Sequence, residues 1–74
     1  MTYVNQQTIY ELALNMGDFT TIEMTYRAHK DLDHSHISST YRMLSKLVKW
    51  GMVERVGRRK PPGEQWQTVW RAVQ

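Results

Sequence analysis

Between Ser35 and Arg59 the apolar residues change their spacing once, and that change limits the possible folds more than any other feature of the chain. Ile37, Tyr41, Leu44, Leu47 and Val48 recur every three or four residues, so on a helix their side chains share one face. Ser39, Arg42, Lys46 and Lys49 fall mostly elsewhere, which leaves one face to pack and another to meet a charged partner. Gly51 then supplies the residue best suited to the left-handed conformation that ends a helix. Met52 to Val56 continues with apolar and β-branched residues at strand spacing, and a basic turn follows.

At 74 residues the chain is expected to form one small domain, 1–74, near the lower size at which an apolar core holds a fold without staples. It has no cysteine, which excludes a disulfide framework and a thiolate zinc site and suits a reducing cytoplasm. No apolar run approaches the ~20 residues that span a bilayer, and the N-terminus lacks the basic and apolar regions of a signal peptide. The expectation is a soluble, unprocessed, cytoplasmic protein with no membrane partner.

The net charge of +3 is unevenly spread. Residues 1–37 set Arg27 and Lys30 against Glu11, Asp18, Glu23, Asp31 and Asp33. Residues 38–60 set Arg42, Lys46, Lys49, Arg55, Arg58, Arg59 and Lys60 against Glu54 alone. A basic segment of this kind is the footprint of a polyanionic partner when its elements converge on one surface, and a solvated face when they do not.

Local signals divide the rest of the chain. A first helix should begin near Asn5 or Thr8, because Thr8 and Glu11 match a capping box, and should bury Ile9, Leu12, Ala13 and Met16 before Gly17. Tyr10 and Leu14 lie off that stripe, as extra core or as a contact with another chain. Thr20 and Glu23 form a second capping box inside the hydrophobic staple of Phe19 and Met24, so a second helix should open at Thr21. Met24 and Ala28 should face the core, helped by Ile22 or Leu32. The segment from Lys30 to His34 breaks the pattern, with Asp33 or Ser35 capping the third helix. Gly57 to Gly63 reads as a turn whose Pro61 and Pro62 cannot join a sheet ladder. Gln65 to Val73 returns as a strand in which Trp66, Thr68, Trp70 and Ala72 alternate with Gln67, Val69, Arg71 and Val73. In so small a protein Trp50, Trp66 and Trp70 are expected mainly in the core.

In order of elements, and specifically in Leu44, Leu47, Gly51, Met52, Val53, Glu54 and Arg55, the chain resembles the winged helix-turn-helix superfamily. It is similar in particular to short winged regulators of pilus operons in enteric bacteria, which also run Gly-Met-Val into an Arg-Arg wing and an aromatic last strand. The resemblance implies an α+β fold of three helices and a C-terminal two-stranded antiparallel wing, with Phe19 and its neighbours available as a third strand. It also implies sequence-directed binding of double-stranded DNA by a small bacterial, phage or plasmid transcriptional regulator. Self-association on DNA, or contact with a second DNA-bound protein, would then supply regulation. The alternative is a protein-interaction module, since winged helices also serve as adaptors. The interval from Ala28 to Leu44 is one or two residues longer than the usual pattern, and no glycine marks the turn between helices 2 and 3.

With helix 3 in the major groove, Ser38, Ser39, Arg42, Met43 and Lys46 are the groove candidates, and Lys49 extends the basic face. Arg42 is the candidate base reader, because a guanidinium can bind guanine through two parallel hydrogen bonds. Arg58, Arg59 and Lys60 at the wing would neutralise phosphates or enter the minor groove. His29, His34 and His36 lie close in sequence but lack the further ligands of a metal set, so no metal and no cofactor is expected; His34 and His36 are expected to face solvent or phosphate. No nucleophile elbow or phosphate loop is present, so no enzymatic activity is expected.

Overall fold

The computed structural model describes residues 4–74. Met1, Thr2 and Tyr3, which the expected 1–74 domain includes, lie outside the described residues. The elements run α1 (Gln6–Leu14), β1 (Phe19–Thr20), α2 (Thr21–His29), α3 (His34–Lys49), β2 (Val53–Arg59) and β3 (Gln67–Ala72). The strands form one antiparallel sheet in the order β1-β3-β2. The architecture is therefore α+β, with three helices and a three-stranded sheet, and Phe19–Thr20 is its short third strand. No helix among the described residues is long and apolar enough to cross a membrane.

Each helix begins where a short polar side chain takes up an orphan backbone donor. For α1 that residue is Asn5, whose Oδ1 accepts from the Thr8 backbone N–H at 3.0 Å and from the Thr8 hydroxyl at 3.2 Å. The expected capping box of Thr8 and Glu11 does not form, because Thr8 already lies inside the helix. At α2 the box of Thr20 and Glu23 closes in both directions, at 3.2 and 2.8 Å, between the buried Phe19 and Met24. Asp33 caps α3, accepting from the Ser35 backbone N–H at 2.9 Å. Between α2 and α3, Lys30 takes the left-handed conformation (φ 63°) that glycine more often fills. Gly51 (φ 76°) ends α3 as the sequence leads one to expect. Its N–H donates to the Val48 carbonyl and that of Met52 to Leu47, the paired bonds of a Schellman motif.

The core gathers Ile9, Ala13, Phe19, Met24, Leu44, Leu47, Val53, Trp70 and Ala72. Several expectations change here. Leu32 is 49% exposed and the half-buried Ile22 lies outside the core cluster, so Met24 faces the core with Ala28 beside it and without either expected helper. Tyr41 is exposed, and its place on the buried face of α3 goes to Thr40, which is fully buried with no hydrogen-bond partner for its Oγ1 among the described residues. Of the tryptophans only Trp70 is core; Trp50 and Trp66 are 58% and 59% exposed. Tyr10 is half-buried against the core and its hydroxyl donates to the Val73 carbonyl at 3.2 Å, while Leu14 remains exposed.

The hairpin opens later than composition suggests. Gly57, Arg58 and Arg59 belong to β2, not to the turn, which begins after Arg59. Arg55 pairs with Trp70 and Gly57 with Val69, so Val56 and Gly57 together form a bulge in the ladder. Gly57 has φ 151°, a conformation nearly restricted to glycine.

Candidate nucleic-acid interface

The 16 residues of α3 contain no carboxylate. Thr40, Leu44 and Leu47 face the core. On a helix of 3.6 residues per turn the opposite face then carries Ser38, Arg42, Lys46 and Lys49. Ser38, Arg42, Lys46 and Lys49 are exposed. Ser39 and Met43 turn toward α1, half-buried, and Met43 leans on the core. With Arg42 and Lys46 they line a shallow cleft against Val4, Asn5 and Gln6.

The bulge decides what the wing adds to this face. Side chains alternate across a strand, so residues paired with Trp70 and Thr68 share the helix-facing side of the hairpin. Without the extra residue, Arg59 would follow Arg55 onto that side. With it, Arg58 pairs with Thr68 and faces α3, whereas Arg59 pairs with Gln67 and faces away. The contacts agree: the Arg58 guanidinium lies 5.5 Å from the Trp66 ring centre and that of Arg55 lies 5.3 Å from the Trp70 ring centre. Arg59 instead reaches Glu23 at 3.6 Å. On the same far side Arg71 binds Asp18 through two hydrogen bonds of 2.6 and 3.0 Å and approaches Glu54 at 3.8 Å. This contact holds the Asp18 carboxyl below the usual carboxylate range and raises Arg71.

The two faces of the wing therefore differ in how their cations are satisfied, while Arg27 and Lys30 of α2 have no carboxylate partner among the described residues. Arg59 and Arg71 have carboxylate partners. Arg42, Lys46, Lys49, Arg55, Arg58 and Lys60 have none among the described residues. Of the candidates named from sequence, Ser38, Arg42, Lys46 and Lys49 share the exposed face of α3, Ser38 and Arg42 line the cleft toward the wing, and Arg58 lies on the α3-facing side of the wing. Lys60 follows β2 and lines a cleft with Arg59 and Glu23, Ser39 and Met43 are set to one side, and Arg59 is turned away.

Between α3 and the wing lies an open cleft of about 490 Å³. Ile37, Ser38, Tyr41 and Arg42 line it from the helix and Trp66, Gln67 and Thr68 from the wing, with Thr21 and Ile22 of α2 completing it. Arg55, Tyr41 and Trp66 are the residues that sequence reasoning did not place at this surface. Trp66 precedes β3 by one residue, and the alternation read from sequence over Gln65–Val73 set it on the same side as Trp70, which was a usable signal. The partner of Arg55, the Trp70 ring, is visible only in the folded chain.

At the α2–α3 turn the rings of His29 and His36 stack, 4.1 Å apart and 6° from parallel, and His36 Nδ1 lies 2.7 Å from Asp31 Oδ1. His36 is thus engaged with the turn, while His34 is exposed. Among the described residues no three His, Asp or Glu side chains group so as to hold a metal ion. Comparison of the chain with protein-family models, with curated proteins and with solved structures found no match in any of the three.

Proposed function

We propose that this chain is a winged helix-turn-helix protein that binds double-stranded DNA in a sequence-directed manner, as a small cytoplasmic transcriptional regulator. The observation that carries this reading is the division of the cations. Those on α3 and on the α3-facing side of the wing lack carboxylate partners among the described residues, as do Arg27 and Lys30 of α2, whereas Arg59 and Arg71 on the opposite side of the hairpin have them. An unpaired row of Arg and Lys on a helix without carboxylates matches a phosphate backbone in charge. In this reading α3 enters the major groove, Arg42 reads a base edge, Lys46 and Lys49 hold phosphates, and Arg58 and Lys60 extend the contact to the neighbouring backbone or minor groove.

One such domain covers a limited stretch of DNA, so specificity would come from two copies on neighbouring half-sites or from a second DNA-bound protein. Leu14 remains available for that contact, since Tyr10 is committed to Val73.

The direct test is a salt titration of duplex binding. Four phosphates neutralised by Lys46, Lys49, Arg58 and Lys60 imply a log–log slope of about −3.6; a slope near zero would refute DNA binding. One observation favours a second reading, a protein-interaction module: Trp50, beside Met52 and Leu47 at the end of α3, is 58% exposed on a small apolar surface. Substituting Trp50 would then abolish binding to a protein partner and leave the salt-dependent DNA titration unaltered.

A further inference from the structure

Trp66 and Trp70 sit on the same side of the wing, yet Trp70 is fully buried and Trp66 is 59% exposed. A large ring held in water beside a basic surface is available to a ligand with a flat apolar face. Trp66 lines the cleft opposite Tyr41 and Arg42, and the Arg58 guanidinium over its ring holds the indole in place and adds a second cation. No carboxylate lines the cleft, and its volume of about 490 Å³ falls in the range of small-ligand sites, roughly 300–1,000 Å³. Bare phosphate would leave both rings unused, and an uncharged aromatic would leave Arg42 unused. A nucleotide uses both kinds of group.

Resting on the DNA-binding reading above, we propose that the cleft between α3 and the wing is a slot for one unstacked nucleotide of a DNA strand. Its base lies against Trp66 and its phosphate against Arg42, which in this bound form holds a phosphate instead of the base edge it reads in an intact duplex. The strand, rather than a free nucleotide, is the occupant because the unpaired cations continue out of the cleft. Lys46 and Lys49 extend along α3, where flanking phosphates would run. Bases inside an intact duplex are stacked on one another and cannot reach the indole, so the slot rewards DNA that offers an unpaired base.

The test compares two labelled duplexes, identical but for one central unpaired nucleotide, by fluorescence anisotropy at one salt concentration. The unpaired duplex should bind about tenfold more tightly, within the range that stacking one base on an aromatic ring provides. Trp66→Ala should bring that ratio to about one, and Trp66→Phe should retain several-fold, with thermal melts confirming that both variants fold. A ratio near one in the parent protein, or one that persists in Trp66→Ala, overturns the slot. So does a free nucleoside monophosphate that binds as tightly as the unpaired duplex. If both duplexes bind equally well, only the slot is lost; if neither binds, the DNA-binding reading falls with it.

Discussion

The indole N–H of Trp70 donates to the Thr21 hydroxyl at 2.9 Å, a buried hydrogen bond between the last strand and the first residue of α2. Tyr41 of α3 meets the same ring edge-on at 5.5 Å, and Arg55 covers it from β2. One side chain thus fixes the wing against both helices that frame the proposed DNA-binding surface. Thr21→Val keeps the β-branched shape but removes the acceptor, leaving a buried donor unpaired. It should cost ~1–3 kcal/mol, read as a lower urea midpoint with an unchanged slope. An unaltered midpoint would show that the indole N–H finds another acceptor.

Thr40 offers the opposite case. Its hydroxyl is buried on the core face of α3 without a partner among the described residues. Thr40→Val exchanges that hydroxyl for a methyl group of similar size, and should stabilise the protein by ~1 kcal/mol. For a domain of this length that is a rise of roughly 4–8 °C in melting temperature. A loss of stability would mean that the hydroxyl is hydrogen-bonded in solution.

Stability should fall in two stages on acidification. Burial, reinforced by the stacked His36 and opposed by Asp31, lowers the pKa of His29 from its ordinary value of 6.5. Below 6.5 the unfolded chain therefore takes up protons more readily than the folded one, and stability drops until the folded pKa is passed. Asp18, Asp31 and Asp33 are held below 3.8, chiefly by hydrogen bonds from Arg71, His36 and Ser35 respectively. Their contribution is complete above that value and is lost as the pH falls through their folded pKa values. Urea midpoints measured from pH 7 to 5 should decline less in His29→Gln than in the parent. Equal declines would place the first stage on another group.

Arg58 and Arg59 are neighbours with opposite assignments. Arg58→Ala should weaken duplex binding and lower the salt slope by about one. Arg59→Ala, which removes a cation already paired with Glu23 on the far side, should change either quantity much less. Equal effects would show that the bulge does not sort the two side chains on DNA. Arg42→Ala should relax preference at one base position and cost ~1–3 kcal/mol, whereas Lys60→Ala should weaken all sequences alike.

Much of the framework was legible in the sequence because its causes are local. The capping box of Thr20 and Glu23, the Asp33 cap and the Gly51 stop depend on residues within a few positions of one another, and each formed where expected. A return strand within Gln65–Val73 also followed from alternation and turn residues, whereas the short third strand at Phe19 was expected only from the family resemblance. Two competing local signals were separated only by the structure: Asn5 outcompeted Thr8 as the first cap because capping from Asn5 adds most of a turn to α1.

Residue spacing alone determined that helix, glycine stop and strand follow in that order, and that the cations concentrate between Arg42 and Lys60. Which of those cations share a side was decided by tertiary structure. One extra residue at Val56–Gly57 inverts the alternation of β2 and sends Arg58 toward α3 and Arg59 toward Glu23. The fates of the tryptophans were decided in the same way. Burying an indole takes neighbours on every side, and α2, α3 and β2 supply them only at Trp70, so Trp50 and Trp66 remain on the surface.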